Sequence, residues 1–306
     1  MQKFLEKYLL PIAMVLGIVF HRQLSVLSPL LPYLIALMLF ISYCRVSLSD
    51  IRLTKFHDIV LAIQYFGSAL VYIVLRPLNE ILAQASMICV LTSTATSAPV
   101  VAGLLGGSIS ATAAYSLISN LSVALIGPFL LSLVGHTGQE VSFLTSFTHI
   151  FVSVIPILII PFIIALLLNK FAKKAHEKIQ SAQITSFYLW AVALTIVIGN
   201  VTNNIRAQSD GSYYLELTIA GTSLIICLLQ FYFGRKIGSR YGRTVAGGQG
   251  LGQKNTVLAI WLTHSYLNPL AALGPGAYVL WQNLVNSWQL WRHAKRKYKN
   301  KLQLSK

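Results

Sequence analysis

The stretch GGQGLGQKN, residues Gly247 to Asn255, decides how the fold of this chain is interpreted, because it lies inside an otherwise apolar region. Four glycines, two glutamines, an asparagine and a lysine occur within nine residues. Clustered glycines disfavour a helix because glycine loses more backbone entropy than other residues when it is ordered. Lys254 therefore lies where a membrane helix is predicted to be interrupted.

The composition of the chain is typical of a membrane protein. Of its 306 residues, 55% are hydrophobic and 10% are charged, and the mean hydropathy is +0.66. Soluble domains carry about 25% charged residues. The uncharged apolar segments are mostly long enough to cross a hydrocarbon core of about 30 Å. Because lipid offers no partners to the backbone, we predict that these segments are helices.

We predict an all-α polytopic membrane protein with ten transmembrane helices. The predicted spans are residues 8–21, 25–43, 57–75, 80–105, 110–134, 145–169, 186–204, 214–233, 243–264 and 268–290. Residues 1–135 form a first five-helix repeat, residues 144–290 form a second, and residues 291–306 form a basic cytoplasmic tail. Because each repeat has an odd number of spans, the two repeats have opposite orientations.

The net charge of +16 is explained by the loops, so no nucleic-acid partner is predicted. With a cytoplasmic N-terminus, 20 of the 24 lysines and arginines fall in segments predicted to lie inside. Three fall in outside loops, namely Arg22, Arg76 and Arg206. Since positive residues favour the cytoplasmic side, we predict that both termini are cytoplasmic. Compact loops and the lack of a targeting signal favour a bacterial inner membrane.

The acidic residues argue against several functions. All eight lie in predicted loops or at span ends, so no carboxylate-based proton or sodium pathway is predicted. The chain also shows no metal-ligand pair on one helix face and no paired catalytic groups, so we predict that it is not an enzyme and has no cofactor. A non-transporting sensor is disfavoured because no soluble domain is appended.

The fourth span contains a second predicted interruption. It reads CVLTSTATSAPVVAGLLGGS from Cys89 to Ser108, with hydroxyl side chains followed by Pro99. Proline removes a backbone donor, so Pro99, like Gly250 and Gly252 in the ninth span, is predicted to break a helix. Interrupted helices at matching positions of two repeats are typical of transporters with inverted repeats and a site near the bilayer midplane.

Three longer stretches resemble one known family, the bile acid:sodium symporters. They are ALMLFISYCRVSLSDIR (Ala36–Arg52), SAPVVAGLLGGSISATAAYSLISNLSVALIGP (Ser97–Pro128) and GQKNTVLAIWLTHSYLNPLAALGPGAYVLWQN (Gly252–Asn283). The resemblance runs over almost the whole chain and indicates a divergent bacterial member. It implies a panel domain and a core domain, two broken crossing helices, alternating access and sodium-coupled uptake of organic anions.

The chain departs from this family at both crossings. The family has Ser-Asn where Ala98 and Pro99 stand here. It has Glu-x-Gly-x-Gln-Asn at the second crossing, where Gly250 takes the position of the sodium-binding glutamate and Lys254 that of the glutamine. A shift of the alignment would place Gln249 or Gly248 at the glutamate, and neither supplies an acid.

The same resemblance implies the site residues. Thr112 and Ser116 match hydroxyl ligands of sodium, and the predicted cation site comprises Lys254, Gln253, Gln249, Thr112 and Ser116. The substrate anion is expected to meet Thr96, Asn255 and Asn283, with Gln282 at the position where the family has a histidine.

Three roles are open for Lys254. Its ammonium replaces the sodium ion by donating to Thr112, Ser116 and carbonyls at the crossing, or it binds the substrate anion, or it extends its charge to an aqueous cavity as a structural residue. The first role predicts a transporter of small, carboxylate-like organic anions without conventional sodium sites, coupled to protons or facilitative. Alternatives are a sodium-coupled symporter of the usual family type and an auxin efflux carrier-like exporter, whose first crossing also bears a proline.

Overall fold

The computed structural model describes residues 2–45, 53–135, 142–207 and 213–304, and in these ranges the chain is folded into helices. The helices are α1 Gln2–Val19, α2 His21–Ser25, α3 Leu31–Tyr43, α4 Lys55–Leu75, α5 Glu80–Leu91, α6 Ala98–Leu104, α7 Ile109–Val134, α8 Phe143–Phe171, α9 Lys173–Ser181, α10 Gln183–Arg206, α11 Tyr214–Arg240, α12 Thr244–Gly252, α13 Thr256–Tyr266 and α14 Leu273–Leu304. Short 3-10 helices, Ser28–Leu30 and Pro269–Ala272, precede α3 and α14.

Within the described residues, five helices are long and apolar enough to cross a membrane, namely α4, α7, α8, α10 and α11. Large apolar side chains on their outer faces are exposed, such as Phe66 on α4, Val152 on α8 and Leu217 on α11. These features confirm the predicted class, a helical membrane protein. The count of ten spans and the internal repeat stay predictions.

Several helix boundaries differ from the predicted spans. The predicted span 25–43 is divided among α2, a 3-10 helix and α3, because Pro29 and Pro32 lie at the starts of the last two elements. A nine-residue helix, α9, occupies the predicted loop before α10. The basic tail is continuous with α14, which extends to Leu304, and Lys306 lies outside the described residues.

Both predicted interruptions are present. Helix α5 ends at Leu91 and α6 begins at Ala98, while α12 ends at Gly252 and α13 begins at Thr256. The two interrupting segments, residues 92–97 and 253–255, are together named the crossing.

The two segments of the crossing pair with each other in antiparallel orientation. An isolated β-bridge joins Thr94 to Lys254. Next to it, the amide of Ala95 donates to the carbonyl of Gln253 at 2.9 Å and the amide of Asn255 donates to the carbonyl of Ser93 at 2.8 Å. The crossing therefore links two distant parts of the chain through their main chains.

The prediction that Gly250 and Gly252 break a helix was wrong, because both residues lie within α12 and the interruption follows at Gln253. These glycines allow close packing. A Cβ atom on Gly250 would lie 2.7 Å from the ring of Tyr115, and one on Gly252 would lie 2.4 Å from the ring of Phe231.

Pro99 also lies beside the interruption and not within it. It occupies the first turn of α6, where proline is favoured because the amide it lacks has no helical partner there. Pro99 therefore helps to start α6 after the crossing.

Candidate functional site

Lys254 is buried at the centre of the crossing, with 1% of its surface exposed. Its Nζ atom donates to the carbonyls of Val90 at 2.8 Å and Thr92 at 3.0 Å. Its backbone amide donates to Oε1 of Gln282 at 2.8 Å. The ammonium therefore binds the C-terminal end of α5, where the helix dipole and free carbonyls favour a cation.

Two glutamines complete the cap on the same helix end. Gln64 of α4 donates through Nε2 to the carbonyls of Leu91 at 2.7 Å and Thr92 at 3.3 Å. Gln230 of α11 donates through Nε2 to the carbonyl of Cys89 at 3.1 Å. Together with Lys254, they supply side-chain donors to the four consecutive carbonyls of residues 89–92. This helix end is buried, and a buried helix end requires such partners because water does not reach its free carbonyls.

The C-terminal end of α12 is capped by hydroxyl groups. Thr94 donates through Oγ1 to the carbonyl of Gly250 at 2.6 Å. Tyr278 donates its hydroxyl to the carbonyl of Gly252 at 2.9 Å. The groups that cap the two helix ends thus differ in charge, because a cation caps α5 and neutral hydroxyl groups cap α12.

Helix α7 holds the first segment of the crossing in place. Asn120 accepts a hydrogen bond from Ser93 at 2.8 Å and donates through Nδ2 to the carbonyl of Thr94 at 3.3 Å. Ser119 accepts from the amide of Thr94 at 3.3 Å and donates to Oε1 of Gln64 at 3.0 Å. This buried network connects α7 to the glutamine that caps α5.

The expected contacts of Lys254 with Thr112 and Ser116 are absent from the described residues. Thr112 donates to the carbonyl of Ser108, the N-cap residue of α7, at 2.9 Å. The hydroxyl of Ser116 lies 3.5 Å from the carbonyl oxygen of Thr94. That part of the prediction was wrong because the ammonium reaches the end of α5 and not the hydroxyls of α7.

A cavity of about 380 Å³ lies beside the crossing. It is bounded by the crossing, α3, α6, α10 and α14, and its lining residues are Met38, Leu39, Arg45, Ala95, Thr96, Ser97, Val100, Val101, Ser186, Phe187, Trp190, Gln253, Lys254, Asn255, Thr256, Gln282, Asn283, Asn286, Ser287 and Leu290. All four predicted substrate residues, Thr96, Asn255, Gln282 and Asn283, are brought together there.

Two of these four residues, Asn255 and Asn283, also have local bonds. Asn255 caps α13 by accepting from the amide of Leu258 at 3.3 Å. Asn283 donates to the carbonyl of Val279 at 2.6 Å. Since a side-chain amide offers two donors and one acceptor oxygen, each of these asparagines keeps hydrogen-bonding capacity for a ligand.

The remaining predicted cation-site residues are two glutamines whose side-chain nitrogen is hydrogen-bonded. Gln253 donates through Nε2 to Ser97 at 2.8 Å, and Gln249 donates through Nε2 to Oδ1 of Asn286 at 3.0 Å. The Oε1 atoms of both glutamines are buried without a hydrogen-bond partner among the described residues. Gln249 lies behind the cavity wall and reaches it through Asn286.

The charged residues that line the cavity are both cations, Arg45 and Lys254, and no aspartate or glutamate is among its lining residues. Arg45 follows α3 and is half-buried. Burial lowers the pKa of its guanidinium, which keeps its charge because arginine is not deprotonated in proteins. The cavity is therefore electropositive.

Three residues that the structure makes important carry no motif that marks them in the sequence. Arg45 was assigned to a loop because it follows a span. Gln64 and Gln230 are amides inside apolar spans, and polar side chains in membrane helices usually face the protein interior. That rule indicates both glutamines as interior residues, although it does not identify their partners.

Comparisons with protein-family models and with curated proteins gave no match for this chain. The resemblance to the bile acid:sodium symporters accordingly stays a prediction that rests on its motifs. The described structure defines a class, a helical membrane protein in which two interrupted helices meet beside an electropositive cavity.

Proposed function

We propose that the protein is a secondary transporter that moves a small organic anion by alternating access, with the Lys254 ammonium in the place of a coupling cation. The observation that carries this proposal is the pair of bonds from Nζ to the carbonyls of Val90 and Thr92 at the crossing of two interrupted helices. In transporters with broken helices, such carbonyls at half-helix ends coordinate sodium. We propose a divergent member of the bile acid:sodium symporter family on this basis.

The residues at the crossing do not fit a sodium ion at this helix end. Lys254 occupies two of the carbonyl acceptors, and a second cation beside the ammonium would be repelled. A carboxylate at position 250 has no room, because its Cβ atom would lie 2.7 Å from the ring of Tyr115. Transport independent of sodium, facilitative or linked to a proton, is therefore the form we propose.

The cavity supports an organic anion as the transported molecule. Its volume of about 380 Å³ lies within the range of about 300–1,000 Å³ for small-molecule sites. It combines two cations with amide and hydroxyl donors from Thr96, Asn255 and Asn283, which suit a carboxylate.

The remaining parts of the proposal concern topology. We propose ten spans in two inverted repeats of five, which would put both termini on one side of the membrane, and we propose that this side is the cytoplasmic side of a bacterial inner membrane. The interruptions in the fourth and ninth predicted spans support this arrangement, as does the bias of lysine and arginine among the loops. Labelling of single cysteines from either side of the membrane tests it.

The deciding experiment is uptake of a labelled carboxylate by proteoliposomes. Thermal-shift screening of a carboxylate panel first identifies a binder. We expect its uptake to be unchanged when potassium replaces sodium, whereas stimulation by a sodium gradient would favour the sodium-coupled alternative. An imposed pH gradient then separates proton-linked from facilitative transport.

A second arm of the experiment uses Lys254→Ala. If the ammonium stands in for a cation, removing it frees the carbonyl of Val90 and leaves Gln64 as the donor to the carbonyl of Thr92. We expect sodium to raise the melting temperature of this variant and to leave that of the wild type unchanged, because a ligand of the folded state stabilises it. Equal effects of sodium on both proteins would contradict the role of Lys254.

An exporter of the auxin efflux carrier type is a second candidate. Pro99 at the start of α6 favours it, since a proline also marks the first crossing in that class. The direction of transport is tested by comparing efflux of the same labelled carboxylate from preloaded vesicles with its uptake by empty vesicles, both with known protein orientation.

A further inference from the structure

Arg45 lies between two cavities. One is the 380 Å³ cavity beside the crossing, and the other is a cavity of about 360 Å³ that extends along α6 to α7. Their shared wall is formed by Arg45, Thr96 and Val100. The second cavity continues from this wall to Ser42, Pro99, Gly103, Leu104, Ile109 and Ala113, and we name it the access cavity.

The guanidinium of Arg45 has neither a hydrogen bond nor an ion pair within the ranges that the structure describes, in which the salt bridge joins Arg76 to Glu80. Lys254 differs, because its ammonium already donates to two carbonyls. Among the described residues, neither cavity is lined by an aspartate or a glutamate.

The chemistry of a half-buried guanidinium favours one class of ligand. Its planar fork of N–H donors matches a carboxylate, and partial burial strengthens the attraction relative to bulk water. A cation on the shared wall of two cavities concentrates anions locally and repels cations.

We propose that Arg45 captures the anionic group of the substrate at the junction of the access cavity and the cavity beside the crossing. This inference rests on the proposed function, in which the transported molecule is an organic anion. In this arrangement the carboxylate binds Arg45 first and then reaches Thr96, which belongs to both cavities. Arg45 thereby selects the sign of the ligand charge, and Lys254 remains bound to α5.

The lining of the cavity beside the crossing indicates the chemistry of the rest of the ligand. Phe187 and Trp190 of α10 stack with ring centroids 5.7 Å apart and an interplanar angle of 22°. With Met38 and Leu39 of α3 they form the apolar part of the lining. The ligand that fits is an anion with an apolar, preferably planar, body.

The test measures access of charged reagents and does not require the substrate to be known. Thr96→Cys is the reporter, in the full-length protein in nanodiscs. It is labelled with a sulfonate-bearing and with a trimethylammonium-bearing methanethiosulfonate reagent. The native cysteines Cys44, Cys89 and Cys227 are buried, and wild-type labelling is subtracted as background. The readout is the ratio of the anionic to the cationic labelling rate.

We expect Arg45→Gln to lower this ratio by about tenfold, because the local field no longer favours anions. Arg45→Lys should largely preserve it. Arg240→Gln is the matched control, since it removes one exposed positive charge outside both cavities and should leave the ratio unchanged.

Three results would overturn the inference: an unchanged ratio in Arg45→Gln, an equal fall in Arg240→Gln, or a reporter that neither reagent labels. If Thr96→Cys does not fold, Ala113→Cys in the access cavity replaces it as reporter. Failure of the proposed function is distinguishable, because it would show as absent uptake in proteoliposomes while the labelling ratio still depends on Arg45.

Discussion

The Nζ atom of Lys254 lies 2.8 Å from the carbonyl oxygen of Val90, in the last turn of α5. The two residues are separated by 164 positions in the sequence. Their contact brings a lysine from one crossing segment to the helix end that precedes the other. The charge of Lys254 is thereby held at the C-terminal end of α5.

Lys254→Met should destabilise the protein. The variant keeps most of the side-chain volume. It leaves the carbonyl of Val90 without a side-chain donor, at a cost of about 1–3 kcal/mol, while the carbonyl of Thr92 keeps its bond from Gln64. Relief of the buried charge offsets part of this cost, so we expect a net loss of about 1 kcal/mol. The melting temperature in detergent measures the effect, with Lys178→Met on the exposed face of α9 as control. A raised melting temperature would mean that the buried charge costs more than its bonds contribute.

Gln64→Leu should interact with Lys254→Met in a double-mutant cycle. Both side chains donate to the carbonyl of Thr92, at 3.3 Å and 3.0 Å respectively. Because the donors share an acceptor, the loss of unfolding free energy in the double variant should differ from the sum of the two single losses by about 0.5–3 kcal/mol. Denaturant unfolding of the four proteins measures this coupling, and strict additivity would show that the cap on α5 does not act as a unit.

Gly250→Ala should lower stability by about 1–3 kcal/mol, as overpacking of a buried contact usually does. The added Cβ atom would meet the ring of Tyr115 at 2.7 Å. Gly221→Ala is the matched control within α11, because no atom lies within 4 Å of its Cβ position. There the alanine should be neutral or stabilising by up to about 1 kcal/mol. Equal melting temperatures of the two variants would argue against close packing at Gly250.

Asn283→Ala should reduce anion affinity with little effect on folding. Its amide lines the cavity and bonds only to the carbonyl of Val279 within the described ranges. A hydrogen bond to a charged group contributes about 1.5–3 kcal/mol, so affinity should fall roughly tenfold to hundredfold. Binding is measured by titration with the carboxylate from the thermal-shift screen. Asn204→Ala is the control, because Asn204 also donates to a carbonyl, that of Pro269, and lies outside the cavity.

The positions of the interruptions could be predicted because their causes are local. Hydroxyl-rich sequence before Pro99, and polar residues after a glycine cluster, oppose a continuous helix whatever the neighbouring helices are. The resemblance to the bile acid:sodium symporters implies Thr96 and Asn255 as substrate residues and Lys254 as a residue of the cation site. The structure places all three on the wall of one cavity.

The partners of these residues could not be predicted, because they depend on helix packing. Lys254 was expected at the hydroxyls of α7, and only the three-dimensional arrangement brings it to α5. The glycines of α12 were attributed to helix breaking, whereas they permit contact with Tyr115 and Phe231. In the sequence, Arg45 looks like any other arginine that follows a span. Its place in the wall of the cavity beside the crossing depends on how α3 packs.

The covalent attachment of the Lys254 ammonium has an electrical consequence for the proposed transporter. A sodium ion at the end of α5 would be released on one side of the membrane in each cycle, whereas the ammonium stays with the protein. Without a proton, only the charge of the substrate then crosses the membrane. At about 100 mV, inside negative, inward movement of a monovalent anion is opposed by about 2.3 kcal/mol. Net uptake of the anion would then require an external concentration more than roughly 50-fold above the internal one. At lower ratios the membrane voltage drives the anion outward.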